Sequence, residues 1–370
     1  MASLRLIHIA DVHLDAPFRW LGTRGREQRA QLKATFRAIV DLALAERVDA
    51  FLVAGDLFDS NSPSHDTVDL VRAQLDRLGV PIFLLPGTHD CLDDNSIYRK
   101  AHLAGSGGES VHVFDGNRTA FELSGLGLTV HGRANLTKTS RASPLDGLRK
   151  NPDTRYNVAL AHGSLAMLGA EDDFPVAPGD IRGSGMDYVA LGHWHSCRDC
   201  SAGPTRAFYS GPPELLGEGE QGCVLLVELA EAGARVERRH VGRRRHDRLE
   251  LALDTIRSVE EIRERICGRR DPDLILSVAL SGLRPLGLVV DPAELSRELS
   301  EGFFALRVDD RSHPSLSPDD LSAFPEKLVI GQFVRRMSGL ISEAATPEER
   351  RVREAALQVG VALLQGKRVL

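Results

Sequence analysis

Long apolar runs are missing from this sequence. No stretch of its 370 residues approaches the roughly 20 consecutive apolar residues of a membrane-spanning helix. The opening MASLRLIHIADVHLD also lacks the basic segment and apolar core of a secretory signal. No contact with a membrane is expected. Cysteine is scarce. The five present form no regular framework, so disulfide staples are excluded and reduced thiols in the cytoplasm are expected. Aromatic residues make up only 5%. Nor is there a basic excess: 46 Lys and Arg face 52 Asp and Glu, a net charge of −6. The molecule as a whole therefore has no long-range attraction for phosphate polymers. Any nucleic-acid contact must come from local patches or bound cations. Internal repeats and low-complexity tracts are absent.

What is present is a globular composition, 42% hydrophobic and 26% charged, long enough for two or more domains with their own cores. The first half alternates strand and helix signals. LRLIHIA and DAFLVAG read as strands, and the segment REQRAQLKATFRAIVDLALAERV between them has helical spacing of apolar residues. SHDTVDLVRAQLDRLG reads as a helix ending at glycine, followed by the strand VPIFLLPG. This rhythm predicts a sheet with helices on its faces. From about Val111 the strand signals shorten and helices thin out, predicting mixed α/β with a second sheet layer. Beyond the run RRHVGRRRHDR, a strand-helix-strand-helix-strand order predicts a small separate domain at 247–312, and the remainder reads as helical. Ser317-Pro318 and Thr346-Pro347 mark helix starts, and Gly366 marks the last helix end.

Five places share one layout, an apolar strand followed at once by metal-ligand side chains. They are IADVH (Asp11, His13), AGDLFD (Asp56, Asp59), PGTHD (His89, Asp90), LAHGS (His162) and LGHWH (His193, His195). In an open α/β sheet ligands bind beyond the carboxyl ends of the strands, so these clusters are expected on one rim. Imidazole and carboxylate donors suit divalent first-row metals, and the absence of cysteine argues against structural zinc. Two ions about 3.5–4 Å apart, bridged by a carboxylate, clamp the attacking and leaving oxygens of a phosphoryl displacement. Gly55 lets the backbone approach closely before Asp56. The competing explanation, polar loop residues at strand ends, holds for single histidines but not for the ordered set.

That ordered set, D-x-H, G-D-x-x-D, G-x-H-D, H-G and G-H-x-H, resembles the calcineurin-like metallophosphoesterases. Within them ADVHLDAPF, GDLFDSNSPS, LPGTHD and LGHWH resemble the SbcD-type DNA repair exonucleases, especially the YhaO-like branch. The resemblance spans about residues 5–215. It implies an α/β fold, a β-sandwich flanked by helices (αββα) at 1–246, with a capping domain at 247–312 and a C-terminal helical docking segment at 313–370. It further implies that Asp11, His13 and His195 hold one metal, that Asp56 bridges, and that His162 and His193 hold the second. His89 would be the acid on the leaving oxygen or stabilise the transition state, with Asp59 orienting its ring. Such families use two divalent ions, typically manganese, although these donors also suit magnesium, iron or zinc. The implied activity is that of a DNA exonuclease or endonuclease, working as a homodimer with an SbcC-like SMC-type ATPase. Phosphoesterase action on nucleotides or phosphoproteins, or a non-catalytic scaffold, are the alternatives.

One position departs from the family pattern. The usual residue before the catalytic histidine is asparagine, whose amide oxygen ligates the second metal; here it is Thr88. Its shorter side chain implies ligation by the hydroxyl or a water, a weaker second metal, or a degenerate site. Weaker signals are basic. Arg24, Arg26 and Arg29, and Arg243, Arg244 and Arg245 within the arginine-rich run, are candidate DNA-backbone contacts, or simply solvated charge. Cys197 and Cys200 read as an incidental loop, and His8, His112 and His131 as packed or surface residues. In the last helix Val352, Ala356, Val359 and Leu363 form one stripe, expected either to pack on the chain itself or to dock a partner.

Overall fold

Strand β1 (Leu4–Ile9) sends Leu6 and His8 to one side and Ile7 and Ile9 to the other, and all four are buried. A strand covered on both faces belongs between layers. The computed structural model describes residues 3–101, 103, 110–166, 172–219, 221–285 and 287–366. It divides into two compact units, Met1–Arg245 and His246–Leu370.

In the first unit the chain runs from β1 through α1 (Gly25–Glu46), β2 (Ala50–Ala54), α2 (His65–Asp76) and β3 (Ile82–Leu85). It continues through α3 (Ile97–Lys100), β4 (Val111–Val113), β5 (Ala120–Leu123), β6 (Leu128–Gly132) and β7 (Tyr156–His162). Then come α4 (Pro178–Ser184), β8 (Tyr188–Gly192), β9 (Arg198–Asp199), β10 (Arg206–Tyr209), β11 (Cys223–Ala230) and β12 (Gly233–His240). Two six-stranded sheets result, ordered β12-β11-β1-β2-β3-β4 and β5-β6-β7-β8-β10-β9. The central strands of each are parallel, β1 to β4 in one and β6, β7, β8 and β10 in the other. Leu6, Leu52 and Phe83 of the first sheet share one core with Val130, Val158, Leu160 and Tyr188 of the second, which makes the pair a sandwich. His8 Nδ1 meets the Tyr188 hydroxyl at 2.8 Å across it. Burial holds that imidazole down at about 3, so His8 is a neutral packing residue.

Helix α1 buries Leu32, Phe36, Ile39 and Val40, and α2 buries Val68, Val71 and Leu75. Ala159, Ala161, Val189 and Leu191 on the other face of the second sheet pack with Ile181 of α4. The unit is thus mixed α/β, two sheets flanked by helices.

In the second unit β13 (Arg245–Ala252), β14 (Asp271–Ser281) and β16 (Phe303–Asp310) form a three-stranded sheet, with α5 (Val259–Cys267), β15 (Leu283–Arg284) and α6 (Pro292–Leu299) between them in sequence. Leu276, Val278, Ile262, Ile266 and Leu295 share its core. β17 (His313–Pro314), α7 (Pro318–Ser322), α8 (Val329–Ser342) and α9 (Pro347–Leu364) follow. Ser317 and Thr346 cap α7 and α9 as their positions before proline predict.

Two sequence expectations change. The arginine-rich run, which reads as solvated charge, is largely strand: Arg238, Arg239 and His240 pair with β11, 241–244 lie between strands, and Arg245 begins β13. The apolar stripe of α9 does not face the chain: Leu357 and Val361 are buried, whereas Val352 is 64% exposed and Ala356 and Leu363 are also exposed. Among the described residues no helix is long and apolar enough to cross a membrane.

Candidate metal centre

The carboxyl ends of β1, β2, β3, β7 and β8 deliver the five clusters. Beyond their strands the first two segments remain tied, Asp11 N–H donating to Gly55 O at 3.1 Å and His13 N–H to Asp56 O at 3.0 Å. The turns are tight. Asp11, His13, Asp56 and His193 all have left-handed backbones, with φ of 54°, 48°, 53° and 99°. Non-glycine residues adopt such values only when their surroundings impose them. Neighbouring glycines make the crowding possible. A Cβ on Gly55 would fall 2.0 Å from His162 Nδ1, and one on Gly87 would fall 2.2 Å from Asp56 Oδ1.

Among the described residues, three groups of donor atoms lie within 4.8 Å of one another: Asp11, His13 and His195; Asp56, His162 and His193; and His13, Asp59 and His89. Asp56 stands between the first two. Its Oδ2 is 3.1 Å from His162 Nε2 and 3.7 Å from His13 Nε2, and its Oδ1 accepts the His89 N–H at 2.8 Å. His162 donates from Nδ1 to Ala54 O at 2.8 Å, which directs Nε2 into the cluster. Asp11 accepts the His193 N–H at 2.9 Å. Buried His13 Nε2 has no hydrogen-bond partner, an unusual cost that a cation removes. Hard carboxylate and imidazole donors, an orphaned ring nitrogen and a central carboxylate fit a pair of divalent ions.

Electrostatics agree. Burial pulls His162 down, but the charge and hydrogen bond of Asp56 outweigh it and raise the imidazole to about 9. Burial likewise opposes protonation of His13, yet the bond to Asp59 and the charges of Asp56 and Asp11 raise it. Asp56 is held far below the usual carboxylate range, since its burial is overcome by His162 and the neighbouring histidines. The buried carboxylates Asp56 and Asp11 thus favour positive charge in this rim.

Thr88 is buried in the same rim, its Oγ1 3.2 Å from Asp56 Oδ2 and 3.5 Å from His162 Nε2. His89 sits at the mouth with a half-exposed side chain. Its relation to Asp59 differs from expectation. His89 Nδ1 donates to the main-chain carbonyl of Asp59 at 3.1 Å, while the Asp59 carboxylate is 3.8 Å from that nitrogen and 3.2 Å from His13 Nδ1. The carboxylate thus orients His13 more directly than His89. Asp90 is no ligand. It accepts from Gly87 N–H, Phe58 N–H and the Tyr98 hydroxyl, locking the loop that carries Thr88 and His89. Burial and the charge of Asp56 push it up to about 6.

Other residues of the rim carry no motif. Asp173 Oδ2 accepts from His193 Nε2 at 2.8 Å and also from the Ser164 hydroxyl, leaving Nδ1 as the free nitrogen of that ring. Asn135 donates to His162 O at 3.1 Å. The basic candidates have local partners. Arg24 pairs with Glu27 at 2.9 Å, Arg29 donates to Pro17 O at 2.9 Å, and the main-chain N–H groups of Arg243 and Arg244 donate to the buried Glu214 carboxylate. Arg26 and Arg245 are exposed.

The fold and rim define a metal-dependent phosphoesterase of known type: residues 4–197 match the calcineurin-like phosphoesterase family, and the chain belongs to it. Among its relatives it is 29% identical to the uncharacterized metallophosphoesterase YhaO of Bacillus subtilis, over 57% of this chain and 53% of that one. It is 32% identical to the DNA double-strand break repair protein Mre11 of Aeropyrum pernix, over 67% of this chain and 64% of that one. With the SbcD component of the nuclease SbcCD of Rhodobacter capsulatus it shares 27% identity, over 62% and 68%. The chain thus spans about half to two thirds of the length of these relatives.

Proposed function

We propose that this protein is a two-metal phosphodiesterase that cleaves DNA. The observation that carries this reading is the central Asp56 carboxylate, with His13 of one donor group and His162 of the other on the same oxygen. In it Asp11, His13 and His195 hold one ion, and Asp56, His162 and His193 hold the other with the Thr88 hydroxyl beside them. Divalent ions bound there, manganese foremost, would supply Lewis acidity and an activated water. The chain supplies the rest. His89, tethered through Nδ1 to the Asp59 carbonyl, is left with Nε2 to protonate the leaving oxygen, and Asp59 holds His13 in the orientation its Nε2 needs.

DNA as substrate is supported by the names of two relatives, a DNA double-strand break repair protein and a component of a nuclease. In the same reading residues 247–312 act as a cap that positions DNA, and 313–370 dock an SbcC-like SMC-type ATPase, the whole working as a homodimer in the cytoplasm. Exposed Leu328, Val329, Val352, Leu363 and Leu364 on the C-terminal helices and their approach support docking. Arg24, Arg26 and Arg243 to Arg245 are the backbone contacts in this reading.

End-labelled single- and double-stranded DNA incubated with manganese, beside His89→Ala, tests the proposal. Cleavage by the native chain and its loss in the variant are expected. Cleavage of nucleotides or phosphopeptides but not DNA would move the substrate class, and fewer than one ion per chain with no cleavage would make the protein a scaffold.

A further inference from the structure

Next to the metal rim lies a groove of about 570 Å³ whose walls include Arg133, Asn135, Leu136, Thr137, Ser140 and Phe174. It follows β6, and three bonds fasten it to the ligand loops. Asn135 donates through its side chain to His162 O at 3.1 Å and through its N–H to Pro86 O at 3.2 Å, and its own carbonyl accepts the Leu92 N–H at 2.7 Å. The far wall is tied as closely. Phe174 N–H donates to Ser140 O at 2.8 Å, and Phe174 directly follows Asp173, the partner of His193. A Cβ on Gly163, the residue after His162, would fall 2.1 Å from Phe174 O. The groove is therefore one residue away from His162 on one side and from Asp173 on the other.

Its chemistry is selective. Among the described residues no acidic side chain lines it, although the chain carries 52. Arg133 is exposed, and among the described residues it makes no ion pair or hydrogen bond. Leu136 is 48% exposed despite being apolar, and Phe174 keeps a left-handed φ of 50°. Thr137 spends its hydroxyl proton on Thr139 O, whereas Ser140 Oγ accepts from Ala142 N–H and retains its proton for a ligand. A cation, a free hydroxyl and an exposed apolar side chain beside a phosphoryl-transfer site match a nucleotide: phosphate, sugar and base face in turn.

We propose that this groove holds one nucleotide of the DNA strand adjoining the scissile phosphate, with Arg133 on its phosphate and Leu136 against its base. The assignment rests on the DNA reading above. Two exposed substitutions, Arg133→Glu and Leu136→Asp, leave the core and the ligands untouched. Binding of a fluorescein-labelled single-stranded oligonucleotide is followed by anisotropy in EDTA across a salt series, and manganese-dependent hydrolysis of bis(p-nitrophenyl) phosphate is measured in parallel. Each variant is expected to weaken oligonucleotide binding about tenfold. Arg133→Glu should also lower the salt slope by about one, while hydrolysis of the small diester, too short to reach the groove, stays at the native rate. Native-like binding and slope in both variants overturn the groove assignment while leaving the DNA reading intact. A native chain that hydrolyses the small diester but neither binds nor cleaves the oligonucleotide overturns both.

Discussion

The hydroxyl of Thr88 lies 3.2 Å from Asp56 Oδ2, so the side chain that replaces the family's usual amide still points its one oxygen into the second donor group. Thr88→Asn is expected to tighten the weaker of two manganese affinities, and Thr88→Val to loosen it, since the methyl offers no lone pair. Calorimetric titration reads both. Unchanged affinities in the pair would mean that Thr88 is a packing residue.

In the proposed reading, His89 is a proton donor and not a metal ligand. His89→Ala is expected to lower kcat by about 10²–10⁴ with metal content per chain unchanged. Asp59→Ala, which frees His13 Nδ1 from its 3.2 Å partner, is expected to lower metal affinity as well as rate. Elemental analysis separates the two; loss of metal from His89→Ala would reassign that histidine as a ligand.

Asp173 fixes one ring nitrogen of His193 at 2.8 Å and is itself held by Ser164. Burial opposes its charge, but the Ser164 bond and the His193 ring outweigh this and hold its carboxyl below the ordinary value. Asp173→Ala releases the ring, and a loss of about 10–100-fold in affinity for the second ion is expected. ¹⁵N chemical shifts of His193 report the tautomer in the metal-free protein, a signal that global destabilisation does not produce. An unmoved tautomer would remove Asp173 from the metal site.

Metal binding must displace protons. His162 stands at about 9 before any ion arrives, and a ligand imidazole must be neutral, so below that value affinity should rise about tenfold per pH unit for each proton released. Above it the curve should flatten. For the metal-free chain the sign is opposite. The folded value exceeds the ordinary 6.5, so the stabilisation from the Asp56 and His162 pair is complete below about pH 6.5 and is lost as pH rises through 9. Titrations in buffers of different ionisation enthalpy count the protons, and a pH-independent affinity would contradict the assignment.

Much of the rim was legible because each ligand follows directly on an apolar strand, and parallel topology brings strand ends together. Asp173 was not: it sits in a segment without periodicity, 20 residues from the histidine it serves. The pairing of Asp59 with His89 comes from the family resemblance, yet which of two rings a carboxylate meets depends on side-chain angles that spacing does not encode. In α9 the stripe Val352, Ala356, Val359, Leu363 and the pair Leu357 and Val361 have equal helical spacing, so hydrophobic pattern alone could not choose the buried face. The strand character of the arginine-rich run was hidden by its charge. At the sheet edge the exposed, alternating positions of β12 accept arginine without penalty.

The left-handed turns at Asp11, His13, Asp56 and His193 each hold about 1–2 kcal/mol of conformational energy that a glycine would release. That strain is carried by the same side chains that anchor the rim, Asp56 to His162 and to the His89 N–H and Asp11 to the His193 N–H. A glycine would relax the turn and in the same stroke orphan these partners, so the contorted backbone and the donor set can only be kept or lost together.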